Sequence, residues 1–249
     1  MGEVEMGSRV SGFSGDMPEE EFRAAGEAVV DWIANYLEDP ERYPVLAQVK
    51  PGETKARLPE KAPEAGEAME AILRDFSEIV VPGITHWNHP SFFAYFSITG
   101  SAPGILAEML TAALNVNAMV WRSSPAGTEL EERTLDWLRE LLGLPAFFDG
   151  TINDTASSSS LHAMGAAREA KLPEGGNRGL SGVSPGRFYA SDQAHSSIDK
   201  AAITLGFGRE GVTRIPSDSE FRLRPDRLRA AIQEDRSRGV KPLGLIATL

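Results

Sequence analysis

RFYASDQAHSSIDKA, residues 187–201, reads as a strand, a turn and the start of a helix in immediate succession. The short run 187–190 is strand-like, SDQAHS interrupts it with turn-forming side chains, and a helix-like stretch follows over 196–205. A strand that feeds a helix is the repeating unit of an open parallel α/β sheet. Such sheets collect ligands at the carboxyl ends of their strands, and His195 stands at that point. Two readings are open for this imidazole. It either caps the turn through hydrogen bonds, or stacks its flat face on an aromatic cofactor while its edge bonds a carboxylate.

The alternation extends in both directions. Downstream, a strand is expected over 212–215, a helix from Pro225 to about Arg238 closed by Gly239, and a final apolar run, PLGLIATL. Upstream, a turn at 149–157 opens a helix reaching about Lys171, and a Gly-rich loop spans 173–186. Strands alternating with helices predict a mainly parallel sheet covered on both faces. The last run reads as a buried parallel strand, which normally relies on a following helix for cover. The chain is therefore expected to be the N-terminal portion of a longer polypeptide.

The turn DTASSSS, residues 154–160, leads into LHAMGAAREA. The first amides of a helix have no internal partner, and with the helix dipole they bind phosphate. Thr155, Ala156 and Ser157 are small enough to let a phosphate approach the backbone. A serine-rich cap without a ligand explains the same residues. Neither GxGxxG nor GxxxxGK is present, so this is not a nucleotide-binding glycine loop.

Before these elements come helices of another kind. Pro18 and Glu19, Glu20 and Glu21 suit a helix start, and Phe22, Ala25, Val29, Ile33, Tyr36 and Leu37 form one apolar stripe. A Pro-rich connection leads to a second helix holding Met69, Ile72, Leu73, Phe76, Ile79 and Val80, stopped by Pro82-Gly83. Two amphipathic helices joined by an extended segment need a partner surface, either the main domain or a second subunit. THWNHPSFFAYF, residues 85–96, then concentrates aromatic rings. Phe92 and Phe93 suit a core or a dimer seam, whereas Trp87, Tyr95 and Phe96 suit the wall of a pocket for a ring-bearing substrate. Helices follow over about 103–115 and 124–142. In the second, Leu130, Leu135, Trp137, Leu138, Leu141 and Leu142 are expected to face inward, and Gly143 to cap it.

Composition narrows the functional classes. A formal charge of -11 argues against nucleic acid and anionic membrane surfaces. With no cysteine, disulfide and thiolate chemistry are excluded. The first residues lack the basic and apolar regions of a secretory signal, and no segment approaches the roughly 20 apolar residues of a membrane span. The protein is read as soluble and cytoplasmic. His86 and His89 lack a third grouped ligand, so no metal site is expected, and the absence of GxSxG speaks against a serine hydrolase.

Four of these segments, THWNHPSFFAYF, SPAGTELE (124–131), DTASSSS and SDQAHSSIDKA, occur in the order seen in the pyridoxal-phosphate-dependent group II amino-acid decarboxylases. The chain resembles that family from about residue 17 onward, and its aromatic-L-amino-acid branch most. The resemblance implies a fold-type-I α/β architecture, with an N-terminal helical segment that wraps a second subunit in a homodimer. Residues 1–15, rich in Gly and Ser, are expected to be disordered; the resemblance makes 16–100 a helical dimerisation segment and 101–249 the first part of a large cofactor-binding domain. It implies that Thr155, Ala156 and Ser157 bind the phosphate of pyridoxal 5'-phosphate and that His195 stacks on its ring. Trp87, Tyr95 and Phe96 match substrate-pocket aromatics, and Ile98 stands where the family usually has Thr. Asn117 and Met119 fall on positions that contribute to the neighbouring subunit's pocket.

The resemblance also implies the reaction, decarboxylation of an aromatic L-amino acid to its amine. That chemistry needs a lysine for the cofactor's aldehyde and a carboxylate at its ring nitrogen. Lys50, Lys55, Lys61, Lys171, Lys200 and Lys241 do not match the family's lysine. Residues 1–249 alone are therefore expected to be inactive. Decarboxylases of glutamate or histidine, an aldehyde synthase of the same fold, and a non-catalytic cofactor-binding or subunit-pairing fragment are the alternatives.

Overall fold

Phe188, Tyr189 and Ala190 are buried at the centre of a parallel sheet. The computed structural model describes residues 17–247 except Thr99 and Ser184. It places these three residues on β1 (Gly186–Ser191), flanked by β2 (Val212–Ile215) and β3 (Lys241–Ile246) in the order β2-β1-β3. Both pairings are parallel, with Ala190 opposite Arg214 on one side and Ile246 on the other. Gly186 opens β1 for a steric reason: a Cβ there would lie 2.7 Å from the Leu243 side chain.

The chain divides into two compact units, Met1–Asn115 and Val116–Leu249. The expectation of disorder over 1–15 lies outside the described residues. The first unit carries α1 (Glu19–Glu38), α2 (Glu53–Arg57), α3 (Met69–Asp75) and α4 (Ala102–Leu114). The second carries α5 (Pro125–Leu141), α6 (Ala156–Lys171), α7 (Gly175–Arg178), α8 (Ser197–Thr204) and α9 (Pro225–Ser237). Caps explain several of these boundaries. Ser101 and Ser124 accept from the amides of Gly104 and Gly127, filling donors that a helix start leaves open. Gly143 adopts φ +64° just beyond α5, the left-handed stop that glycine tolerates.

Successive side chains of a strand point to opposite faces, and β1 uses both. Phe188 and Ala190 join Met164 and Leu172 from the α6 region, Ile198, Ala201 and Ala202 of α8, Val212 and Leu243 in one core. Tyr189 points the other way, where its hydroxyl donates to Asp235 of α9 at 2.8 Å. The sheet is thus covered on both faces, as the alternating pattern requires. The expected loop at 173–186 also contains the short helix α7.

The apolar face of α5 corrects the sequence reading. Leu135 is partly buried, but Leu130, Trp137, Leu138, Leu141 and Leu142 are exposed, Leu141 by 83%. A helical stripe shows which face seeks cover; it does not show that the chain supplies that cover, and the core is built by α6 and α8 instead. In the first unit the buried residues among those described are Val81, His86 and Phe92. Phe93, read with Phe92 as core or seam, is 91% exposed. The second predicted helix is α3 followed by a π-type stretch over Phe76–Val80 and a 3-10 turn over Val81–Gly83.

Candidate active site

The turn after β1 is tightly cross-linked. Ser191 Oγ accepts from the Gln193 amide at 3.1 Å, and the Ala194 amide donates to the Ser191 carbonyl at 3.0 Å. From β2, Arg214 Nη1 donates to the carbonyls of Ser191 and Ala194, each at 3.0 Å, while Nη2 lies 2.8 Å from Asp199 Oδ2 in the first turn of α8. Just past β2, the Ser217 hydroxyl donates to Asp192 at 2.7 Å and its amide at 3.3 Å. The hydroxyl bond in particular holds the Asp192 carboxyl below its ordinary pKa.

His195 emerges exposed from this frame. The Ser197 amide donates to its Nδ1 at 3.2 Å, and Ser197 Oγ lies 3.0 Å from the same atom. An amide N–H can only donate, so Nδ1 is the acceptor and the neutral ring carries its proton on Nε2. The ring face and its Nε2–H edge are left for a ligand.

The second turn opens α6. Thr155 is its N-cap, with Oγ1 accepting from the Ser158 amide at 3.2 Å. The amides of Ala156 and Ser157, at the first two helical positions, have no intrahelical acceptor. Both residues are exposed, and no acidic side chain occupies the first turn of α6. Asp154 precedes the cap, its carboxyl held below the usual range chiefly by a hydrogen bond from the Ser158 hydroxyl. His162 bonds Asn153 Oδ1 through Nδ1 at 2.8 Å, and Asn153 Nδ2 donates to Ser159 Oγ at 3.2 Å. An amide oxygen can only accept, so His162 carries its proton on Nδ1, opposite to His195.

The structure brings the two turns onto helices that pack against each other, α6 and α8, with Met164 and Ile198 in the same core. Trp87, Tyr95, Phe96 and Ile98 lie in the first unit. There Trp87 stacks on Tyr95 with centroids 5.5 Å apart and planes 3° from parallel. Tyr95, Phe96 and Ile98 are 88%, 94% and 82% exposed. Asn117 and Met119, in the second unit, share one local bond, the Met119 amide donating to Asn117 Oδ1 at 2.9 Å. The sequence reading missed Asn153, His162, Asp199, Arg214 and Ser217. Asn153 beside a helix start carries a local signal, since Asx side chains bond nearby groups; the others depend on tertiary register.

Open backbone amides at the start of α6 suit a phosphate dianion, and an exposed imidazole at the end of the central strand suits a flat ring. A parallel α/β sheet is the fold of the type-I pyridoxal-phosphate enzymes, and this donor set is compatible with such a cofactor. Within that class the chain belongs to the pyridoxal-dependent decarboxylase family, whose conserved domain matches residues 51–249. It is 41% identical over 238 residues to phenylacetaldehyde synthase of Petunia hybrida, an alignment covering 92% of this chain and 46% of that protein. With aromatic-L-amino-acid decarboxylase of Cavia porcellus it shares 40% identity over 247 residues, covering 92% and 50%. The crystal structure of Catharanthus roseus tryptophan decarboxylase in complex with L-tryptophan matches with a TM-score of 0.86 and 38% identity, covering 94% of this chain and 50% of that one. The chain spans about half the length of the curated relatives it matches.

Proposed function

We propose that the intact protein decarboxylates an aromatic L-amino acid to the corresponding amine and carbon dioxide. The observation that carries this reading is the fixed His195 ring at the end of β1 together with the open amides at the start of α6, carried by elements that share one core. Pyridoxal phosphate, when bound, supplies an electron sink for the pair of electrons left as carbon dioxide departs. Ala156 and Ser157 hold its phosphate through their backbone amides, with Thr155 shaping the turn. His195 offers its face to the pyridine ring and its Nε2–H to the substrate carboxylate. Trp87, Tyr95 and Phe96 supply apolar ring contacts for the substrate, with Ile98 beside them.

The same reading makes the protein a cytoplasmic homodimer. The helices of residues 16–100 pack on the second subunit, and Asn117 and Met119 reach its pocket. Residues 1–249 by themselves do not turn over. Among their lysines, Lys200 lies exposed on α8, and Lys241 donates from Nζ to the Lys171 carbonyl at 3.1 Å.

The test is product analysis with the intact protein, added pyridoxal phosphate, and tryptophan, tyrosine, DOPA or phenylalanine against glutamate and histidine. Amine and carbon dioxide in equal amounts from a ring-bearing substrate are expected. Aldehyde formed with oxygen uptake would assign it to the aldehyde synthases, and preference for glutamate or histidine would overturn the aromatic reading. Steady turnover by residues 1–249 alone would refute the claim of inactivity.

A further inference from the structure

We propose that Arg214 is the positioning residue of His195, acting through the turn that carries it; the functional part of this claim rests on the role given to His195 above. An isolated surface ion pair would need no such role, because exposed pairs contribute little. Arg214 does more than pair with Asp199. Its guanidinium spans three acceptors: the carbonyl at the end of β1, the carbonyl of the residue before His195, and a carboxylate in the first turn of α8. Strand, turn and helix are thereby tied to one rigid planar group. The register makes this possible, since Arg214 sits opposite Ala190, one residue before the turn begins. Asp192, bonded twice by Ser217, anchors the other side of the turn to the chain leaving β2. Arg214 sets where the backbone of residue 195 lies, and Ser197 sets how the ring is turned.

The imidazole lone pair provides a readout independent of catalysis. A histidine acylating reagent such as diethyl pyrocarbonate attacks the unprotonated ring nitrogen. In His195 that atom is Nδ1, engaged by Ser197. In His162 it is Nε2, because Nδ1 donates to Asn153. With the intact protein free of cofactor, peptide-resolved labelling should therefore be slower at His195 than at His162. In Arg214→Met the His195 rate should rise several-fold toward that of His162, whose own rate stays constant. A rise at both sites would mean general loosening and would overturn the proposal.

In the cofactor-loaded protein, Arg214→Met should lower kcat about 10- to 100-fold, with KM changing less than about threefold. Arg214→Lys, which lacks the planar fork, should restore part of the loss. Asp199→Asn, which keeps both carbonyl bonds, should cost less than Arg214→Met and covers the case in which that variant does not fold. In a His195→Gln background, Arg214→Met should lower kcat by less than twofold more; fully additive losses would overturn the coupling. If His195→Gln itself keeps wild-type kcat, the catalytic reading of His195 fails, and the labelling comparison still decides whether Arg214 fixes the ring. Unchanged labelling of His195 in Arg214→Met would overturn the structural claim.

Discussion

The two units bury different things. In the second, a strand with four consecutive buried residues is clamped between helices, and its core is built of apolar side chains. In the first, the buried set is a valine, a phenylalanine and a histidine; Tyr36 and Tyr43 pack on the histidine ring, Trp87 stacks on the phenylalanine, and Trp32 meets Phe76 edge to face. The helices α1, α3 and α4 contain no buried residue. A parallel sheet supplies its own facing surface because each crossover returns a helix to it. Helices in series supply stripes only, and a stripe without a facing surface stays wet.

The largest effect that could break this comparison comes from the sheet. Phe188→Ala removes a ring that is 1% exposed at the centre of the core and should cost about 3–5 kcal/mol in urea unfolding of the 249-residue chain. Phe96→Ala, at a ring that is 94% exposed, should change stability by no more than about 0.5 kcal/mol. Similar losses from the two would mean that the contrast in burial does not govern stability.

Much of the second unit is legible from residue order alone. The run at 187–190 is too short for a helix and too apolar for a loop, and SDQAHS breaks it before a helical stretch resumes. Pro225 and Gly239 bracket α9, with Gly239 at φ +76°. Thr155 occupies the cap that the serine-rich turn promises. What could not be read is whatever needs register or a second surface. Arg214 looks like an ordinary strand residue until pairing sets it opposite Ala190. The stripe on α5 carries the same pattern whether covered or bare. Local pattern specifies elements and the faces they present, whereas partner choice is a property of the assembled sheet.

A second prediction sharpens the account of the sheet's other face. Asp235 is buried, accepts from the Tyr189 hydroxyl, and lies 3.7 Å from Arg187 Nε, a buried atom with no hydrogen bond of its own. Burial, reinforced by the neighbouring carboxylate, pushes the Tyr189 hydroxyl well above its ordinary pKa, so it remains a donor. Asp235→Ala strands the Tyr189 hydroxyl and takes the ion-pair partner from Arg187, and should cost about 2–3 kcal/mol. Tyr189→Phe removes one donor without a cavity and should cost about 1 kcal/mol. Equal costs would show that Arg187 plays no part, which urea midpoints of the two variants would reveal.

The smallest expected effect belongs to the first unit and depends on pH. His86 is 2% exposed, with Nδ1 3.0 Å from the Tyr36 hydroxyl and its ring stacked on Tyr43 at 4.7 Å. Burial lowers its pKa below 6.5, the Val81 carbonyl offsets part of that, and the nearby His89 lowers it further. With the ring neutral and its proton on Nε2, Nδ1 accepts from the Tyr36 hydroxyl. Protonating Nδ1 reverses that last contact in a site with little water. As pH falls through 6.5, the unfolded chain takes up a proton that the folded unit refuses, so folding is progressively disfavoured. The loss stops growing once pH drops below the lowered folded value, where both states are protonated. Hydrogen exchange in α1 and in residues 76–86, corrected for intrinsic rates, should therefore accelerate between about pH 7 and pH 5, while β1 stays protected. His86→Gln should remove most of this pH dependence, whatever it does to stability at neutral pH. If β1 opens first, or if the variant keeps the wild-type profile, then the buried histidine is not what separates the two units in acid.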